Sequence, residues 1–123
     1  MTRKLALLAW SISGDAPDLC AAPFVYAAAA AALYCEVEIH FAGPAVKLLI
    51  EGVAVNAVTS GGKPVYCFMR EAANLGVRFL ACSMAAGRHV AAGKAMIPEV
   101  SGEAGASAFV ARTLAPDWKT LVF

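Results

Sequence analysis

Charged residues are scarce in this 123-residue chain. Asp, Glu, Lys and Arg make up only 15% of it, whereas about a quarter is usual in globular proteins. The charges nearly cancel, to a formal net charge of +1, and no basic or acidic run occurs. This balance gives no electrostatic basis for binding nucleic acid or an anionic membrane. A small surface with so few charges is instead expected to be covered in part by other subunits.

Metal-binding and phosphate-binding motifs are absent as well. The cysteines form no CxxC pair and the two histidines are far apart in the sequence, so the spacing typical of zinc sites is missing. The stretch SGGKP lacks the GxxxxGK spacing of a phosphate loop. We therefore expect neither a metal nor a cofactor. The residues concerned are Cys20, Cys35, Cys67, Cys82, His40 and His89.

Two apolar runs are too weak to be targeting or membrane segments. The start, MTRKLALLAW, has a short apolar core without a cleavage pattern, and we interpret it as a buried strand rather than a signal peptide. The alanine-rich run over 16–35 contains Asp18 and Pro23, and alanine is only weakly hydrophobic, so a tightly packed helix is expected instead of a membrane span. Without an export signal we expect reduced thiols and a cytoplasmic protein.

The remaining sequence alternates between strand and helix patterns, which predicts one domain over 1–123. Alternation of this kind is typical of a three-layer α/β/α fold, here with a mostly parallel sheet of about five strands and flavodoxin-like wrapping. The stretch 53–64 is the expected mobile loop, with some extended structure. Strands are predicted at 4–12, 36–43, 77–82 and 117–123, with a short strand or extended link within 96–102; helices are predicted at 17–33, 44–52, 64–76, 83–93 and 103–115.

The stretch FLACSMAAGR places Cys82 at the end of a predicted strand, directly before a helix. In parallel α/β folds, sites lie beyond the carboxyl ends of the strands. Backbone N–H groups of Ser83, Met84 and Ala85, at the amino end of the helix, would stabilise an anion such as a thiolate. The alternative is a small apolar cysteine that ends a buried strand.

A family resemblance is carried by the segments VEIHFAGPAVKLL (37–49), REAANLGVRFLACSMAAG (70–87), IPEVSGEAGASAFVARTL (97–114) and the closing TLVF, with LGVRFLACSM the most specific. The sequence resembles the DsrE/DsrF-like sulfur-relay family, which includes the YchN-like proteins. The resemblance implies a carrier of sulfane sulfur whose functional cysteine corresponds to Cys82. That residue would take sulfur from a donor protein, hold it as a persulfide and pass it to a thiol of an acceptor protein. The family also implies a trimer, a hexamer or a complex with sister subunits.

Three further side chains are candidates for supporting roles near Cys82. His40 ends the second strand on the same edge, where it would tune a thiolate or contact a substrate anion, or else be a structural histidine. Cys20 and Cys67 would either lie near the site or be packing residues of their helices. Two other functions stay open: a thiol–disulfide redox protein that pairs Cys82 with Cys67 or Cys20, and a non-catalytic oligomeric scaffold or small-ligand module with Cys82 in its core.

Overall fold

A five-stranded parallel sheet forms the centre of the molecule, as a computed structural model that describes residues 2–123 shows. The strand order is β4-β3-β2-β1-β5, and every neighbouring pair is parallel. This confirms the predicted fold class. The strands are β1 (Lys4–Ala9), β2 (Glu36–Phe41), β3 (Arg78–Ala81), β4 (Val100–Glu103) and β5 (Trp118–Val122).

The helices are distributed unequally over the two faces of the sheet. From β1 to β4 each step along the sheet runs in the same direction, so right-handed crossovers place the connecting helices on one face. The return from β4 to β5 reverses direction and brings a single helix to the other face. The helices are α1 (Pro17–Ala32), α2 (Val53–Asn56), α3 (Val65–Asn74), α4 (Ser83–His89) and α5 (Ala106–Leu114), with a 3₁₀ segment at Gly43–Leu49.

The main core lies between the sheet and the helices of the first face. Phe24 of α1 packs on Phe41 and Phe79 of the sheet, with ring centroids 6.0 and 5.9 Å away. The two sheet phenylalanines meet edge to face at 5.3 Å. The second face has a smaller apolar cluster, in which Phe109 of α5 packs with Ala6 and Trp118.

The chain between β2 and α3 differs most from expectation. The helix predicted at 44–52 is a 3₁₀ segment that ends at Leu49, because Ile50 leaves it to form an antiparallel bridge with Met96. Gly52 does not end that helix but precedes α2 with a φ of +94°, which favours glycine. The predicted loop at 53–64 therefore contains a helical turn, and a bridge between Val58 and Pro64 closes a tight turn after it.

No helix within residues 2–123 is both long and apolar enough to cross a membrane.

Candidate functional site

The carboxyl ends of β3 and β4 form a topological switch point. These strands are neighbours, but the helix after β3 packs on the main core, whereas the helix after β4 packs on the other face. Such a divergence opens the crevice in which open α/β sheets generally bind their ligands. The strands stay joined up to this edge, where the Ala104 N–H donates to the Ala81 carbonyl at 3.0 Å.

Cys82 is the first residue beyond β3 at this edge. Its N–H donates to the carbonyl of Phe41 at 2.9 Å, and its own carbonyl accepts the first hydrogen bond of α4, from the Ala86 N–H at 2.9 Å. Its side chain is partly buried against the main core, and its thiol is free. The N–H groups of Ser83, Met84 and Ala85 belong to the first turn of α4, before that first intrahelical bond.

The other cysteines differ from Cys82 in position and burial. Cys20 lies in the first turn of α1 and is fully buried, and this burial raises the pKa of its thiol to about 12. A thiol in that state is a poor nucleophile at neutral pH. Cys67, in α3, and Cys35, before β2, are half-buried free thiols. The roles of Cys20 and Cys67 near Cys82 stay predictions.

His40 belongs to a buried polar cluster on the second face of the sheet. Its partner is Glu38, a fully buried carboxylate whose Oε1 lies 2.8 Å from His40 Nε2. Arg112 of α5 donates from Nε to the same oxygen at 2.7 Å, and Arg78 of β3 donates from Nη2 to Oε2 at 2.6 Å. Burial by itself raises the pKa of Glu38, but the hydrogen bonds and charges of Arg112 and His40 outweigh it and hold this pKa below its ordinary value of 4.5.

The contacts of the His40 ring are with this cluster and with Phe109, and not with the Cys82 thiol. The ring packs edge to face on Phe109 at 5.3 Å, and its Nδ1 is buried without a hydrogen-bond partner. Within residues 2–123 no hydrogen bond joins His40 to Cys82, so a role of His40 in tuning the thiol stays a prediction. Glu38 was not predicted as the centre of this cluster. Its alternation with His40 along β2 was visible, but both basic partners come from distant parts of the chain.

Neither of two surface depressions includes Cys82. One, of about 420 Å³, lies between α1 and the turn at 59–61, and the other, of about 330 Å³, lies beside Tyr66 and Pro98. In the part of the chain that the structure describes, no three His, Cys, Asp or Glu side chains converge as metal ligands would.

Comparison with known proteins identifies the fold. No protein-family model matches the chain, and no curated protein sequence matches it. The crystal structure of YchN from Escherichia coli is similar in fold, with a TM-score of 0.64 over the full length of both chains and 13% sequence identity. The YchN fold is DsrE/F-like, which agrees with the fold that the sequence resemblance implies. At this identity the similarity concerns the fold alone.

Proposed function

We propose that this protein is a cytoplasmic sulfur carrier, or the subunit of a sulfurtransferase, that holds sulfane sulfur on Cys82 as a persulfide. The observation that carries the proposal is the position of Cys82: a free, partly exposed thiol at the switch point between β3 and β4. The resemblance of LGVRFLACSM to the sulfur-relay family supports the same cysteine. The fold shared with YchN is compatible with it.

The proposed reaction consists of two thiol exchanges at one sulfur atom. In the first, the Cys82 thiolate attacks the outer sulfur of a donor persulfide. A bond forms between the two sulfurs, the donor's S–S bond breaks, and the donor's inner sulfur leaves as a thiolate. In the second, an acceptor thiolate attacks the outer sulfur of the Cys82 persulfide and the Cys82 thiolate leaves. One sulfane sulfur is transferred with no net oxidation or reduction.

Local structure supports the persulfide anion in two ways. The N–H groups of Ser83, Met84 and Ala85, in the first turn of α4, are free to donate to an anion on Cys82. The small side chains of Ala85 and Ala86 are compatible with a second sulfur atom on Cys82. We assign these three N–H groups to anion stabilisation and Cys82 to nucleophilic attack.

Self-association into a trimer or hexamer, or assembly with sister subunits, is part of the same proposal. Several large apolar side chains of α1 are exposed, and no charged residue occurs between Leu19 and Cys35. A surface of this composition is typical of a subunit interface. The exposed side chains of this α1 face are Leu19, Val25, Tyr26 and Leu33, the last of which directly follows the helix.

Mass spectrometry after treatment with an inorganic polysulfide tests the proposal. The intact protein is expected to gain one sulfur atom that dithiothreitol removes, and peptide mapping is expected to place it on Cys82. Cys82→Ser should abolish this gain. Cys67→Ser, which removes another half-buried thiol, should retain it and is the matched control.

Three results would contradict this proposal. A Cys82 that iodoacetamide alkylates but that gains no sulfur would exclude a carrier role. A disulfide from Cys82 to Cys67 or Cys20 in a non-reducing peptide map would indicate a thiol–disulfide redox protein instead. A Cys82 that resists alkylation in the assembled protein would favour a scaffold with this residue in its core.

A further inference from the structure

The smaller of the two surface depressions, of about 330 Å³, has walls that backbone hydrogen bonds join to each other. The Glu51 N–H donates to the Ala95 carbonyl at 2.9 Å, and the Ile97 N–H donates to the Leu49 carbonyl at 2.8 Å. An antiparallel bridge lies between these two bonds. The depression is therefore a preformed part of the fold, which is typical of the sites that bind small molecules.

The lining of this depression is mainly apolar. Ala54 and Ile97 line it and are 1% and 5% exposed, whereas Val55 and Pro98 line it from exposed positions. Tyr66, from the first turn of α3, completes this part of the wall. A lining of this kind suits the apolar body of a ligand, and a few polar groups then fix the orientation of that ligand.

Negative charge adjoins this apolar lining. Glu51 is an exposed lining residue, and Glu99 accepts a hydrogen bond from the Tyr66 hydroxyl at 2.8 Å. Burial raises the pKa of Tyr66 above its ordinary value of 10.0, and the hydrogen bond to Glu99 and the charges of Glu99 and Glu51 raise it further. Both carboxylates therefore act on the same hydroxyl. Within residues 2–123 neither of them forms an ion pair.

Arg70 is the basic residue that opposes these two carboxylates. Its guanidinium carbon lies 5.9 Å from the centroid of the Tyr66 ring, but it does not line the depression. Its charge lowers the pKa of Tyr66 by less than the charge of Glu99 raises it, and Glu51 adds to the effect of Glu99. The potential at the hydroxyl is therefore negative on balance, which favours a cation.

We propose that this depression binds a small organic cation, namely a primary ammonium group on a short apolar chain. The chain lies against Ala54, Val55 and Ile97, and the ammonium group pairs with Glu51. A metal ion fits this lining poorly, because hard cations need several oxygen ligands and most of the lining is apolar. Cys82 does not line the depression, so binding here does not require the proposed sulfur transfer.

A titration followed by ¹H–¹⁵N nuclear magnetic resonance tests the proposal, with n-pentylammonium as the probe at low salt. Saturable shifts are expected for the amides of Val55, Tyr66 and Ile97. Two related probes separate the parts of the ligand: 1-pentanol has the chain without the charge, and methylammonium has the charge without the chain. Each is expected to bind at least about fivefold more weakly than n-pentylammonium.

The same ammonium chemistry is present in a free amine and in a lysine side chain of another protein. Nα-acetyl-lysine N-methylamide distinguishes these sources, because it has the ammonium chain together with the flanking peptide groups. Tighter binding than that of n-pentylammonium would identify a protein lysine as the ligand. Weaker binding would identify a free amine.

Two substitutions are expected to change the affinity in opposite directions. Glu51→Gln should weaken n-pentylammonium binding about fivefold and leave 1-pentanol binding unchanged, whereas Arg70→Gln should strengthen n-pentylammonium binding about twofold. Both effects should decrease in high salt because these charges are exposed. Glu103→Gln, at an exposed carboxylate that ends β4, is the matched control and should bind as the wild type does.

Three results would overturn this site. One is the absence of saturable shifts with n-pentylammonium, and another is equal weakening by Glu51→Gln and Glu103→Gln. Binding of 1-pentanol as tight as that of n-pentylammonium would show that charge does not matter here. Cys82→Ser is expected to bind the amine normally, so a failure of the proposed sulfur transfer would leave this site intact.

Discussion

Glu38 shows at the scale of one residue how this fold tolerates a charge on a covered face. A buried carboxylate without partners would cost several kcal/mol. Here both oxygens accept hydrogen bonds, from His40 and Arg112 on one side and Arg78 on the other. The two guanidinium groups are themselves partly exposed, so their desolvation is limited.

Glu38→Gln is expected to lower the free energy of unfolding by about 2–3 kcal/mol at pH 7. The amide keeps the shape of the side chain but removes the charge that pairs with Arg78 and Arg112. Urea denaturation measures the loss. Glu36→Gln is the matched control, since Glu36 is an exposed carboxylate 3.8 Å from Arg78, and it should change the free energy by less than about 0.5 kcal/mol. Equal effects of the two substitutions would contradict a special role for Glu38.

The lowered pKa of Glu38 also predicts how the free energy of unfolding depends on pH. Because the pKa of Glu38 is lowered in the folded protein, the unfolded chain binds a proton first as the pH falls. The stability contributed by Glu38 is therefore fully present above its ordinary pKa of 4.5 and is lost as the pH falls below that value through the lowered folded pKa. The difference between wild type and Glu38→Gln should stay constant from pH 7 to about 5 and shrink below pH 4.5. A difference that grows on acidification would contradict this assignment.

At the scale of elements, α5 is the most weakly anchored long helix. Phe109 is its one buried residue, whereas α1 buries Cys20, Ala21, Pro23, Phe24 and Ala27. The other contacts between α5 and the sheet include the Arg112–Glu38 hydrogen bond and the stacking of the Arg112 guanidinium on Trp118 at 4.2 Å. The free energy of local opening is smaller for an element with fewer buried contacts.

Amide hydrogen exchange is expected to be at least about tenfold faster in α5 than in α1, because fewer apolar contacts oppose its local opening. Arg112→Gln should raise exchange further in α5 and leave α1 unchanged. Exchange followed by mass spectrometry resolves the two helices as separate peptides. Equal protection of α5 and α1 would show that the polar cluster anchors α5 as firmly as the main core anchors α1.

The elements also show how far local sequence patterns predict this structure. The continuous apolar run of β1 and the proline and glycine around α3 identified both elements to within a few residues. The segment 44–64 was predicted less well because its conformation depends on a distant partner. Ile50 pairs with Met96, and the Ser60 N–H donates to Asp18 of α1 at 2.8 Å, contacts that no local pattern encodes.

At the scale of the whole molecule, the proposed self-association rests on the low charge and on the exposed apolar face of α1. In the proposed trimer or hexamer this face is covered, and Cys82 at the carboxyl edge must stay accessible to donor and acceptor. The assembled protein is therefore the form in which sulfur transfer is to be measured.

Sedimentation velocity is expected to show a trimer or hexamer at micromolar concentration. Tyr26→Glu, which puts a charge on the exposed α1 face, should shift the protein to smaller species because a buried unpaired charge is costly. Leu114→Glu, at a more exposed apolar position on α5, is the control and should leave the assembly intact. A monomeric wild type, or dissociation by Leu114→Glu rather than Tyr26→Glu, would contradict an α1 interface.

The sequence by itself determined the order of strands and helices, the parallel sheet and the position of Cys82 at a strand end. Each of these follows from hydrophobic periodicity and from turn residues, which act over a few neighbouring positions. Only the tertiary structure decided that α5 covers Glu38 and His40 and that β3 and β4 meet at the switch point. These depend on strand register and on the face that each crossover takes, which pairings between distant parts of the chain establish.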